Sequence, residues 1–154
     1  MAGDGGERQI ATNRKAFFSY QVLEKHEAGI SLVGTEVKSV RDGGLSFADA
    51  YVDLRNGELF LVGCRIAPYT HGNRLNHQPE RARKLLMHRR EIGKLGGKVT
   101  EKGFTLVPLR AYFKRGRIKL EIGLARGKRT HDKREALKRK DLERDTRQML
   151  RERR

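Results

Sequence analysis

ADAYVDLRNGELFLVGCRI, residues 48–66, holds the strongest local signal in the chain. Asn56-Gly57 readily takes the positive backbone angles of a type I′ turn, and it lies between two runs of strand-forming residues. A hairpin is the expectation. In the first arm Ala50, Val52 and Leu54 alternate with Tyr51, Asp53 and Arg55, so one face is core and the other polar. The return arm is more continuously apolar, as in a strand covered on both sides.

Working outward, the same alternation closes the globular part. FTLVPLRAYFK and RIKLEIGLA are joined through Arg115-Gly116, with Ile118, Leu120, Ile122 and Leu124 on one face and Arg117, Lys119 and Glu121 on the other. Pro108 lacks a ladder donor, so its strand is expected at an edge or bulged. Between the two hairpins, PYTHGNRLNHQPERARKLLMHRREIGKLGG predicts a polar loop and then a helix. That helix would open at Pro79 and line up Ala82, Leu85, Leu86, Ile92 and Leu95. Toward the N-terminus, residues 1–12 are expected to be loose, and AFFSYQVLE predicts a strand with Phe18, Tyr20 and Val22 at a spacing of two. A turn at Ala28-Gly29 would let residues 30–33 pair back. GTEVKSVRDGG suits a helical turn or a strand, and a short helix ended by Asp42, Gly43 and Gly44 is preferred. The fold class expected is mainly β with flanking α: about six antiparallel strands in a small barrel of the oligonucleotide-binding kind, about three helices, and a basic tail.

Charge narrows the function. The 154 residues carry a formal net charge of +16. Residues 127–154 contribute twelve Lys or Arg against six Asp or Glu, so the globular part is itself strongly basic. Positive charge on both parts favours a nucleic acid over a membrane, because no segment approaches a spanning length or a strong amphipathic anchor. The start, MAGDGGERQIA, is acidic and glycine-rich where a secretory segment would be basic and then apolar, and the lone Cys64 cannot form an intramolecular disulfide. A reducing cytoplasm is expected. The tail has too few apolar side chains (Ala136, Leu137, Leu142, Met149, Leu150) to offset the entropy of ordering it. Yet Asp132 and Glu135 have capping-box spacing, and Leu142, Thr146, Met149 and Leu150 fall at i, i+4, i+7 and i+8. Isolated helices of this length are marginal in water. The tail is therefore expected to be disordered when free and helical on a polyanion; the plainer alternative is a solvated charge run.

The search for catalysis finds no recognisable constellation. Gly123 and Gly127-Lys128 stand one residue too close for a phosphate loop, and Arg129 occupies the place of its Ser or Thr. His26, His71, His77, His88 and His131 lack zinc-site spacing, so no metal or other cofactor is expected. Cys64 lies within an apolar strand and suits packing better than nucleophilic attack. Glu27, Glu36, Asp42 and Asp49 are the acids that a metal-dependent nuclease would have to gather, which spacing alone leaves open. On residues alone, a generic basic RNA-binding or ribosomal protein and an RNA-processing enzyme both stand, the first with more support.

Several long strings, NRKAFFSY, EAGISLVGTEVKSVRDGG, NGELFLVGCRIAPY, GNRLNHQPERARKLLMHRREI and LARGKRTHDKRE, resemble the SsrA-binding protein family of bacterial trans-translation, also called small protein B. The resemblance runs from Asn13 to about Arg144. It implies a non-enzymatic protein, one copy per RNA, that binds the tRNA-like domain of transfer-messenger RNA and stands in for the missing anticodon arm on stalled ribosomes. After the loose residues 1–12, it implies an RNA-binding barrel over 13–126 and a tail over 127–154 that enters the decoding centre and the vacant messenger channel. The RNA-facing positions of the family fall on Glu27, Leu86, His88, Lys119 and Arg126, with Lys38 and Arg41 as weaker candidates on the same face. Lys119 and Arg126 suit phosphates, Glu27 suits hydrogen-bond donors on base or ribose, and His88 suits stacking or donation. Leu86 reads equally well as core, and Glu27 as a turn carboxylate paired with a cation. The ribosome-facing positions fall on Gly127, Lys128, Arg129, His131, Asp132, Lys133, Arg134 and Met149. Gln78 departs from the family pattern, which places a capping acid before Pro79.

Overall fold

The computed structural model describes residues 7–71, 76–128, 140–144 and 147. The elements run β1 (Glu7–Thr12), α1 (Arg14–Ser19), β2 (Tyr20–Ile30), α2 (Gly34–Arg41), β3 (Leu45–Ser46), β4 (Tyr51–Arg55), β5 (Glu58–Val62), β6 (Arg65–Ile66), β7 (Arg83–Leu86), α3 (Arg89–Lys102), β8 (Thr105–Lys114) and β9 (Arg117–Gly127). Seven strands form one antiparallel sheet in the order β1-β8-β9-β2-β7-β5-β4, and β3 pairs with β6 apart from it. The sheet curls until β4 lies near β8. Hydrogen bonding does not close it into a barrel, and the strands outnumber the six expected.

Both predicted hairpins form. Asn56 and Gly57 take φ of 50° and 78°, and Arg115 and Gly116 take 52° and 76°, the positive pair that a two-residue turn requires. Ile118, Leu120, Ile122 and Leu124 all point into the core with Leu59, Leu61 and Leu85. The ladder between β8 and β9 shifts register between Pro108 and Arg110, so the proline sits at a bulge, just past the point where β1 stops pairing with β8. The short helix at Gly34–Arg41 is present and ends at Asp42.

Four expectations fail, each for a local reason. Residues 7–12 are not loose: β1 pairs with β8 from Glu7 opposite Lys114 to Thr12 opposite Arg110. Ala16 to Ser19 is helix, because the Asn13 side chain accepts from the Ala16 N–H at 3.3 Å and caps the first turn. Asn13 also donates through Nδ2 to the Pro108 carbonyl at 2.8 Å, fixing that cap to the bulge of β8. No turn occurs at Ala28-Gly29, since β9 supplies a partner all the way from Tyr20 to Gly29 and β2 continues to Ile30. The helix expected from Pro79 begins only at Arg89, so no cap is needed at Gln78. Residues 83–86 are instead a strand alternating buried and exposed, with Arg83 and Leu85 inward.

Arg83 explains that last difference. Its side chain is wholly buried beside an equally buried Glu36. Glu36 accepts from Arg83 Nε at 2.6 Å, from Arg81 Nη2 at 2.5 Å and from the Val33 N–H at 2.9 Å. Arg83 donates further to the carbonyls of Cys64 at 2.7 Å and Pro79 at 3.0 Å. Burial alone would push the Glu36 carboxyl up; the hydrogen bonds from Arg81, Val33 and Arg83 outweigh it and hold the group below its usual range. A charge spaced like a helical surface residue is thus an internal strut joining α2 to β7.

Candidate nucleic-acid interface

The strut delivers β7 to the edge of β2, and cross-strand register does the rest. Gly29 on β2 faces Leu86 on β7 and Lys119 on β9. Lys119 in turn faces Tyr112 on β8. Glu27 lies two residues from Gly29 on the same face of β2. His88 is the N-cap position of α3, just beyond the end of β7. Glu27, Gly29, Leu86, His88 and Lys119 consequently line one open cleft of about 470 Å³. Four of the expected RNA-facing residues, far apart in sequence, meet there.

Their environments differ. Leu86 is 52% exposed, which removes the core alternative for it. A Cβ added at Gly29 would lie 3.3 Å from Leu86 Cβ, so glycine keeps a notch open between Leu86 and Lys119. Glu27 accepts from the Tyr112 hydroxyl at 2.5 Å and from Lys114 Nζ at 3.2 Å, both on Oε2. The Tyr112 hydrogen bond is the main reason its carboxyl sits below the usual range, with Lys114 and Lys119 adding to it. Glu27 is therefore ionised at neutral pH. A fixed carboxylate rejects phosphate oxygens and accepts from ribose 2′-hydroxyls or base N–H groups. Tyr112 is itself buried, and its hydroxyl is pushed well above its ordinary range by burial and by the bond to Glu27. The Arg110 guanidinium lies 4.3 Å from the Tyr112 ring centroid and pairs with Glu7 and Glu121.

Other expected positions fall elsewhere. Arg126 is seven residues beyond Lys119 on β9, about 23 Å of strand away, and bonds Gln21 at 2.8 Å near the root of the tail. Lys38 lies 5.7 Å from the ring centroid of Tyr69 and does not line the cleft. Arg41 lines a separate hollow with Arg8, Phe113 and Gly116. Of the tail positions, Gly127 ends β9 and the Lys128 N–H donates to the Ser19 carbonyl at 3.0 Å, pinning the point of departure to α1. Residues 140–144 and 147 are helical and exposed, within the stretch expected to carry a latent helix. Arg129, His131, Asp132, Lys133, Arg134 and Met149 lie outside the described residues.

Tyr112, Lys114 and Gly29 belong to the cleft or its support and were not singled out from sequence. A signal existed for two of them: a two-residue turn at Arg115-Gly116 fixes Tyr112 opposite Lys119 and Lys114 opposite Arg117. Nothing comparable marked Gly29, because a turn was expected there. Among the described residues, no three His, Cys, Asp or Glu gather as a metal site, and no helix is long and apolar enough to cross a membrane.

Comparison with known proteins gives the family of the chain. The family model described as SmpB protein matches residues 10–152. An SsrA-binding protein of Geobacter sulfurreducens is 54% identical over 147 residues, covering 96% of each chain. One of Carboxydothermus hydrogenoformans is also 54% identical over 147 residues, covering 96% of this chain and 99% of its own. Among solved structures, a chain described under "tmRNA-SmpB: a journey to the center of the bacterial ribosome" is 47% identical with a TM-score of 0.63, covering 82% of this chain and 93% of that one. With the family model spanning nearly the whole sequence and relatives matched end to end, the chain belongs to the SsrA-binding protein family, SmpB.

Proposed function

We propose that this protein binds the tRNA-like domain of transfer-messenger RNA and delivers that RNA to stalled ribosomes, without turning it over. The observation that carries the assignment is the register that sets Leu86, Gly29 and Lys119 side by side, with Glu27 and His88 completing the cleft. An apolar side chain, a cation, a fixed carboxylate and an imidazole read the shape of a folded RNA and its unstacked bases, not the sequence of a duplex. Lys119 neutralises a phosphate, Leu86 packs on a base or ribose face, and Glu27 accepts from a donor edge. The curled seven-stranded sheet, β1 included, serves with its flanking helices as the RNA-binding domain, oligonucleotide-binding-like in its curl but left open by its hydrogen bonding.

The tail is the second half of the proposal. Residues 127–154 act as a cationic arm that takes shape in the decoding centre and the vacant messenger channel, where ribosomal RNA phosphates offset the entropy of ordering it. An occupied channel excludes the arm, so stalled ribosomes are selected by sterics. Arg126, at the junction, belongs to the root of this arm as much as to the RNA-binding face. A cytoplasmic location and action as a single copy per RNA are part of the same assignment.

Truncation after Lys128 tests the division of labour. Transfer-messenger RNA affinity should stay within about twofold of the full chain while tagging of stalled nascent chains is lost; Lys119→Ala should weaken RNA binding first. A truncated protein that no longer binds the RNA, or still supports tagging, would refute it.

A further inference from the structure

The cleft does not end at Lys119. A second hollow, about 320 Å³, shares Gly29, Leu86 and Lys119 with it and continues over Ile30, Leu32 and Val37 to Gly116 and Arg117. A third, about 270 Å³, shares Gly116 and is walled by Arg8, Arg41 and Phe113. Through these shared residues the three hollows follow one another from α3, past α2 and the tip of the β8–β9 hairpin, to the edge strand β1, and together they outline a groove. Its floor is apolar, and its sides past Lys119 carry Arg117, Arg41 and Arg8. Arg8 is held 5.7 Å from the Phe113 ring centroid. Elsewhere Arg110, Lys114, Lys84, Lys98 and Lys15 are matched to carboxylates. Among the described residues, Arg8, Arg41 and Arg117 pair with none, as is also true of Arg14, Arg89, Arg90 and Lys94; what sets the first three apart is that they border this one groove.

We infer that the RNA footprint extends past the Glu27–Lys119 cleft along this groove, and that Arg8 and Arg41, framed by Phe113, hold its backbone phosphates at the far end. The inference rests on the RNA-binding assignment above: it gives Arg41, a weaker candidate from the sequence, a place on the RNA, and it adds Arg8 and Phe113. An apolar floor bordered by unpaired guanidinium groups is complementary to a nucleic-acid strand, whose bases or riboses turn inward and whose phosphates turn to the rim. Continuity with the cleft makes the occupant the same RNA, not a separate ligand.

The test is Arg8→Gln with Arg41→Gln in the full chain, titrated with transfer-messenger RNA across a salt series. A control double variant, Arg65→Gln with Lys102→Gln, removes the same charge away from the groove. Arg8 and Arg41 are exposed, so folding should be preserved and is checked by thermal melting. Each lost phosphate contact lowers the slope of log affinity against log salt by about 0.7–0.9. The groove variant should thus lose about 1.5 from the slope and about tenfold or more in affinity near 0.15 M salt. The control should change neither by more than a small fraction. If groove and control variants match, the footprint stops at Lys119 and the inference falls, while the RNA-binding assignment stands. If the parent itself shows no preference for this RNA, the assignment falls first.

Discussion

Replacing Glu36 by Gln tests whether the site is built on the buried strut. Both Glu36 and Arg83 have no solvent exposure, and Glu36 gathers three donors on its two oxygens. Glutamine keeps the volume but removes the charge and turns one acceptor into an amide donor aimed at donors. Breaking a buried pair from one side costs about 3–5 kcal/mol, because the remaining guanidinium is left uncompensated. For a chain of this size each kcal/mol shifts Tm by roughly 2–4 °C, so Glu36→Gln should lower it by about 6–20 °C in calorimetry. Changing both residues to apolar ones, Glu36→Leu with Arg83→Met, should recover at least half of that loss. The same pair sets an acid limit. A carboxyl whose folded pKa lies below its ordinary value of 4.5 contributes stability above that value and loses it as pH falls through the folded pKa. The parent should therefore weaken in acid below about pH 4.5, and Glu36→Gln should lack that part of the decline. A Glu36→Gln variant within 1 kcal/mol of the parent by urea titration would refute the strut as the device that fixes β7.

Other outcomes follow from the cleft and core. Leu86→Ala should cost less than about 1 kcal/mol of stability, since Leu86 is half exposed, against about 2–5 for a core leucine, yet should weaken RNA binding about tenfold; calorimetry and filter binding separate the two. Tyr112→Phe removes the main bond holding the Glu27 carboxyl low, so its NMR titration should move up toward the ordinary value while the fold persists. The Cys64 thiol is buried and pushed up to about 11 by burial, so a disulfide reagent at neutral pH should modify it only as fast as the protein unfolds, with a rate that rises in urea.

How far the sequence revealed all this depended on whether the signal was local. Asn56-Gly57 and Arg115-Gly116 fix their own turn geometry, so both hairpins were legible, and the period-two pattern from Ile118 to Leu124 named the core face. The short helix at Gly34–Arg41 was legible from its Asp-Gly-Gly ending. What stayed hidden was set by distant partners. Arg83 looks like a surface charge until Glu36, on another element, draws it inside. Leu86 kept helical spacing with Ala82, and only pairing to Gly29 turned it outward. Ala28-Gly29 resembled a turn because the length of β9 could not be seen from β2 alone. Among the site residues, Glu27, Leu86, His88 and Lys119 came from family resemblance; their convergence is a property of the β9-β2-β7 register.

The most direct measurement is to recover the protein from a bacterial lysate, sequence the RNA that accompanies it, and repeat the recovery with Lys119→Ala. Transfer-messenger RNA should dominate the parent sample far beyond its share of the lysate and fall sharply in the variant. An RNA profile that mirrors lysate abundance in both samples would contradict a dedicated partner and leave only a cationic surface with general affinity for polyanions.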